Sequence, residues 1–204
     1  MKLQTTRQLY GYWNGLRGDK DVPFRCQIDP ADMRAFLPEV FVLSRHSPSS
    51  YPFRIAGTGL CSYFGRELRE ADFLDMWSPD EREGLESLLL SVTSDCAGAV
   101  LGIRAHTADD RSVDLEALLL PLRLSGDHCT QIIGTISPFR GEFWLGHRPL
   151  VRQSIQSLRL LWPESMSAEH HLEARQQPLA IAQPTTSYRS GRTRLMVIEG
   201  GRSA

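Results

Sequence analysis

Two spacings of apolar residues divide the chain. Leu9, Tyr12, Trp13 and Leu16 fall at i, i+3, i+4 and i+7, which predicts an amphipathic helix closed by Gly18. Thr5 with Gln8 reads as its capping box. Asp29-Pro30 opens a second short helix that Pro38 stops. Residues 40–43 are apolar throughout and predict a strand with no wet face. Phe53 and Ile55 alternate around Arg54 in a second strand over 51–56, and the turn at 47–50 makes the two a hairpin. Gly57 and Gly59 let the backbone leave that strand in conformations closed to other residues. Leu60, Tyr63 and Phe64 then predict a helical turn ended by Gly65, and short helices and loop continue to Trp77. Ser78-Pro79-Asp80-Glu81 starts the best-marked helix, with Leu85, Leu88, Leu89 and Val92 as its buried stripe. Three strands follow, over 100–106, 112–124 and 129–137. The middle one is apolar on both faces from Leu118 to Leu122, so both faces need cover, and Pro121 belongs near an edge or bulge.

The element order predicts an α+β fold: a five-stranded antiparallel sheet with helices inserted after the second strand. Its parts are an N-terminal helical cap (1–39), the core (40–138), an extension folded back on the core (139–164) and a tail (165–204). The extension carries Trp144-Leu145-Gly146, and residues 155–162 lean toward an extended segment. Residues 165–194 have few large apolar side chains and predict disorder. The β-prone run from Leu195 to Arg202 reads as a docking peptide or a strand added to a sheet edge.

Gly65-Arg66-Glu67-Leu68 followed by Phe73-Leu74-Asp75-Met76-Trp77 resembles small stand-alone PAS-like proteins of alpha-proteobacteria. Trp13, residues 53–58, Leu115-Glu116, Leu120-Pro121-Leu122 and Trp144-Leu145-Gly146 fit the same family, and the likeness runs from about Tyr12 to Pro163. It implies the PAS fold and a sensory role. The flavin-binding photosensors of that family carry an Asn-Cys-Arg-Phe-Leu signature. Nothing like it occurs here, and Cys61 stands in a different context.

The 204 residues are 41% hydrophobic and 23% charged, enough for one domain with a real core. A net charge of −1 gives no reason to expect nucleic acid or an acidic membrane as partner. No apolar run is long enough to span a bilayer, and the start lacks the apolar stretch of a signal peptide, so a cytoplasmic location is expected. Cys26, Cys61, Cys96 and Cys129 read as four free thiols in a reducing compartment, with two disulfides in a secreted chain as the alternative.

Enzymatic chemistry finds little support. Gly57-Thr58-Gly59-Leu60-Cys61-Ser62 follows a strand but has Ser where a dinucleotide fingerprint needs its third Gly. Asp109-Asp110 reads as a hairpin turn, and the six histidines form no metal set, leaving one of them as an axial haem ligand as the alternative. Two residues stand out as ligand-binding candidates. Arg66 is either a local cap or a cation facing a cavity between sheet and helices. Trp77 is either core or a wall of that cavity. Leu9, Tyr12, Trp13 and Leu16 either cover their own sheet or form a homodimer interface. The reading is a non-catalytic sensory or regulatory module, cofactor unknown, acting on an unidentified signalling protein, with a small-molecule ligand between sheet and helices. The alternatives are a ligand-free adaptor and a small enzyme using the same cavity.

Overall fold

The computed structural model describes residues 1–126 and 128–162. A single antiparallel sheet runs through it. Its strands are β1 (Val40–Ser44), β2 (Phe53–Ala56), β3 (Gly98–Thr107), β4 (Ser112–Arg123), β5 (Cys129–Pro138) and β6 (Leu150–Leu161). They lie side by side in the order β2-β1-β5-β4-β3-β6. The helices are α1 (Gln4–Arg17), α2 (Thr58–Phe64) and α3 (Pro79–Ser94). The expected tail, including the run at Leu195, lies outside the described residues.

The sheet has six strands where the periodicity predicts five. The sixth, β6, pairs with β3 along its whole length, with register breaks after Gly102 and His106. Each break resets which face a side chain takes, so no period of two survives in the sequence. As an edge strand β6 also leaves most of its residues wet, which removes the apolar signal a buried strand carries. Glu81 of α3 ties it down by accepting from the Ile155 N–H at 3.1 Å. The sequence pattern assigns Glu81 to a capping box instead, but Ser78 makes no side-chain cap bond.

The period of two on β4 sorts the core into two layers. Val113, Leu115, Ala117 and Leu119 join the inner cluster beneath α2 and α3, and Leu118, Leu120 and Leu122 join the outer cluster under α1. On β1 the same rule sends Phe41 and Leu43 inward and Val40 and Val42 outward. Pro121 sits in the middle strand of the sheet. The ladder to β3 ends at Leu119, so at Pro121 only β5 is paired, and a bulge follows after Leu122. A residue without an N–H is tolerated at such a local edge.

Three local readings change. Helix α1 begins at Gln4 with Leu3 at its cap and no side-chain cap bond, so Thr5 is inside it. The segment after Asp29 is not one helix but a pair of 3₁₀ turns, Pro30–Met33 and Leu37–Glu39, the first capped by Asp29 at 2.8 Å from the Ala31 N–H. Gly57 has ordinary extended dihedrals, φ −66° and ψ 152°. It is glycine for another reason: a Cβ there would collide with the Pro38 and Leu37 carbonyls. That close approach seats the start of α2 on the turn before β1.

Candidate functional site

The sequence leads to the expectation of a small-molecule ligand in the space between the inner sheet face and the helices. Here it is filled by rings. Phe41 from β1 and Phe53 from β2 meet edge to face with centroids 5.7 Å apart. Phe73 stacks on Phe41 at 6.0 Å, meets Phe53 at 5.9 Å and touches Trp77 at 5.8 Å. Gly134 of β5 makes room, since a Cβ there would strike the Phe41 ring. Leu60, Leu68, Leu85, Leu89 and Leu119 close the layer, all fully buried. Rings at these separations and tilts are favourable pairs beyond their buried area.

The loop that delivers Phe73 and Trp77 is set by one carboxylate. Asp72 accepts from Ser50 Oγ at 2.8 Å and the Tyr51 N–H at 2.9 Å through one oxygen, and from the Leu74 N–H at 2.9 Å through the other. Sequence reasoning passed over Asp72. Its signal was the Asp two residues before a short helical turn, an Asx pattern. Two polar atoms inside the layer, Tyr51 Oη and Trp77 Nε1, are buried with no hydrogen-bond partner among the described residues. Burial pushes the Tyr51 phenol above its ordinary value, against the pull of the nearby Thr93 hydroxyl, which falls short of a formed hydrogen bond.

Arg66 and Trp77 are not brought together. Trp77 is 8% exposed and belongs to the ring cluster. Arg66 is exposed, on the solvent side of the α2 cap. Gly65 takes the left-handed conformation at φ 62°, and the N–H groups of Gly65 and Arg66 return to the Ser62 and Cys61 carbonyls. This cap turns the chain outward, which is the local-cap alternative of the two the sequence offers for Arg66. Glu67 folds under it, accepting from the Leu68 and Arg69 N–H groups at 3.1 and 3.2 Å and from Cys61 Sγ at 3.5 Å. Cys61 thereby sits in a local cap, its thiol pushed up by burial.

The outer face carries the less expected chemistry. Glu116 of β4 points away from the rings, is 4% exposed, and takes the place of the missing cap of α1. It accepts from the Lys2 N–H at 2.8 Å, the Leu3 N–H at 2.9 Å and Thr6 Oγ1 at 2.5 Å. Burial alone would raise its pKa. The bonds from Thr6, Leu3 and Lys2, with the terminal ammonium, outweigh burial and hold the carboxyl below its ordinary range. The sequence signal was an acid set against the apolar run that begins at Ala117, one pleat on from the exposed Asp114. A second acid, Glu39, accepts from Tyr63 Oη at 3.1 Å and from Ser137 Oγ, joining α2 to β5. Burial, then Glu39 itself, drives the Tyr63 phenol upward.

Leu9 and Trp13 are buried on the chain's own sheet, and Trp13 Nε1 donates to the Pro121 carbonyl at 2.8 Å. Tyr12 Oη accepts from the Asp29 N–H at 2.8 Å, and Leu16 is partly buried against the outer cluster. While α1 is docked, Leu9 and Trp13 cover the chain's own sheet, and Tyr12 and Leu16 stay partly exposed. Beside α1, on the β1–β2 side, an apolar groove of about 450 Å³ runs between Ile28, Met33, Leu37, Val42, Ile55 and Ile133. Ile55 is 42% exposed there, and Arg25 and Arg34 flank the groove. Among the described residues no group of three His, Cys, Asp or Glu side chains is placed to hold a metal ion.

Comparison with known proteins accords with this geometry. The PAS domain family profile matches residues 1–137, from α1 to the end of β5. The chain belongs to the PAS domain family. PAS domains are generally sensory modules. No curated protein matches the chain. Among solved structures, the LOV protein of Rhodobacter sphaeroides aligns at 14% identity over 52% of this chain, with a TM-score of 0.41, and the match spans 62% of that protein's length. The PAS domain of a Colwellia psychrerythraea protein aligns at 13% identity over 54% of this chain and 98% of its own, with a TM-score of 0.38. The PAS profile ends before β6, so the sixth strand lies beyond the family's matched part.

Proposed function

We propose that this PAS protein is a non-catalytic regulatory module that acts by binding another protein, its interior packed rather than kept open for a ligand. The observation that carries this is the Phe41–Phe53–Phe73–Trp77 cluster in the place a ligand would occupy. The carboxylate beside it is engaged in structure: Asp72 holds the loop that delivers Phe73 and Trp77. The apolar groove at Ile55 supplies contact surface of the kind a partner buries. Its flanking Arg25 and Arg34 suit a partner segment with an apolar anchor and acidic neighbours. A homodimer would use this groove rather than Leu9 and Trp13. A cytoplasmic setting fits the four free thiols, and no helix among the described residues is long and apolar enough to cross a membrane.

A second reading, a small-molecule sensor, draws on the unpartnered Tyr51 Oη and Trp77 Nε1. Buried polar atoms of this kind are usually satisfied by protein, water or ligand. Native mass spectrometry of the protein as purified separates the two. The packed module gives the mass of the bare chain. A stoichiometric added mass, lost when Trp77→Phe removes the indole N–H, establishes the sensor instead. Pull-down with wild type and Ile55→Arg then tests the contact surface: a partner held equally by both contradicts docking at the groove.

A further inference from the structure

Two of the four cysteines are far apart in sequence and adjacent in space. Cys96 lies in the turn between α3 and β3, in the left-handed conformation at φ 54°. Cys129 is the first residue of β5. Their Sγ atoms are 2.8 Å apart. A disulfide needs about 2.05 Å between sulfurs, so the bond closes by a shift of less than about 1 Å. Cys26 is exposed and Cys61 is engaged with Glu67, so neither has a comparable neighbour.

We propose that Cys96 and Cys129 form a reversible thiol–disulfide site whose oxidant is a hydroperoxide. The two sulfurs have distinct roles. Cys96 is partly exposed and lines two surface cavities, one beside Trp13 and Arg17 of α1 and one beside His46 and His128. Cys129 is buried in the outer cluster. A hydrogen bond from Cys129 lowers the Cys96 pKa, against burial and with help from the Arg123 cation, to about 7, while Asp21 and Asp95 oppose the shift. The same contact and burial push the Cys129 thiol upward. Cys96 is therefore the thiolate that attacks, and Cys129 the thiol that resolves.

The steps balance. Cys96 thiolate attacks one peroxide oxygen, the O–O bond breaks, and the departing oxygen leaves as hydroxide or alkoxide and takes a proton. Cys96 becomes a sulfenic acid, having given up two electrons. Cys129 sulfur attacks Cys96 Sγ, the S–O bond breaks, and the hydroxyl leaves with the Cys129 proton as water. An external dithiol reverses the reaction by exchange, becoming a disulfide itself. The bond would tie the exit of α3 to the start of β5, beneath the region that α1 covers. This inference does not depend on which partner the PAS module binds.

The test uses the full chain, stoichiometric hydrogen peroxide, alkylation of remaining thiols and non-reducing peptide mapping. The expected result is a Cys96–Cys129 linked peptide, with Cys26 and Cys61 still alkylated, and full recovery of both thiols with dithiothreitol. In Cys129→Ser, a sulfenic-acid probe such as dimedone should label Cys96. Alkylation of Cys96 in the untreated protein should have its half-maximal rate near pH 7, and Cys129→Ala should move that midpoint up toward the ordinary thiol value. Oxidation falling first on Cys26, or Cys96 and Cys129 both remaining alkylatable after peroxide, overturns the proposal. So does a Cys96 that alkylates only in the ordinary thiol range.

Discussion

The two faces of the sheet are covered by different means. The inner face is sealed by α2, α3 and four interlocking rings, and the residues that seal it are nearly all hydrocarbon. The outer face is covered by α1, of whose 14 residues only Thr6, Leu9 and Trp13 are buried. That helix is held by directional bonds: Glu116 at its start and the Trp13 indole against Pro121. A hydrocarbon layer responds to volume; a layer held by a buried carboxylate responds to protons. The comparison makes the inner layer the fixed part of the protein and the outer layer the conditional one.

The largest blow to this contrast should come from inside. Phe73→Ala removes the ring that touches three others, and should cost about 3–5 kcal/mol in chemical denaturation. A loss under about 1 kcal/mol would show that the interior holds slack a ligand could fill.

Glu116→Ala should come next, costing about 1–3 kcal/mol because the Lys2 and Leu3 N–H groups and the Thr6 hydroxyl lose a buried acceptor. The pH dependence has a definite sign. The folded-state pKa of Glu116 is depressed, so its contribution is present above the ordinary carboxylate range and lost as pH falls through the folded value. Acid should therefore loosen α1 in wild type, and Glu116→Gln should flatten that part of the pH–stability curve. An unchanged curve would mean the carboxylate does not hold the helix.

Trp13→Phe keeps the apolar contact and deletes the bond to Pro121, at a cost of about 1 kcal/mol. Arg104→Ala breaks a pair with Asp114 at 2.8 Å that is about half exposed on both sides, and solvent screening should leave the denaturation midpoint nearly unchanged. An Arg104 effect as large as that of Glu116 would contradict the division between surface and buried charge.

Much of the fold could be read from periodicity because its elements carry one clean period each. The stripe of α3 and the double-sided apolar run of β4 are of this kind, and both lie where the pattern puts them. β6 showed only as an extended lean over 155–162, and its full length and its place in the sheet stayed hidden because two register breaks erase its alternation. The site was less legible. Trp77 is named by size and hydrophobicity, which also decide burial. Arg66 kept two readings in the sequence, because a charge next to a glycine cap says nothing of which way the cap turns. Glu116, Asp72 and the Cys96–Cys129 contact depend on residues far off in sequence, with Glu116 acting across more than a hundred positions on Lys2. No spacing rule reaches that far.

Native-state hydrogen exchange measures the contrast itself. The amides of α3 and of central strands β4 and β5 should open only with global unfolding, while those of α1 exchange through a separate opening of lower free energy. Acidification through the Glu116 titration should lower protection in α1 and leave α3 unchanged after correction for intrinsic rates. A single free energy shared by α1, α3 and β5, with no selective effect of acid, would contradict a fixed inner layer beneath a conditional outer one.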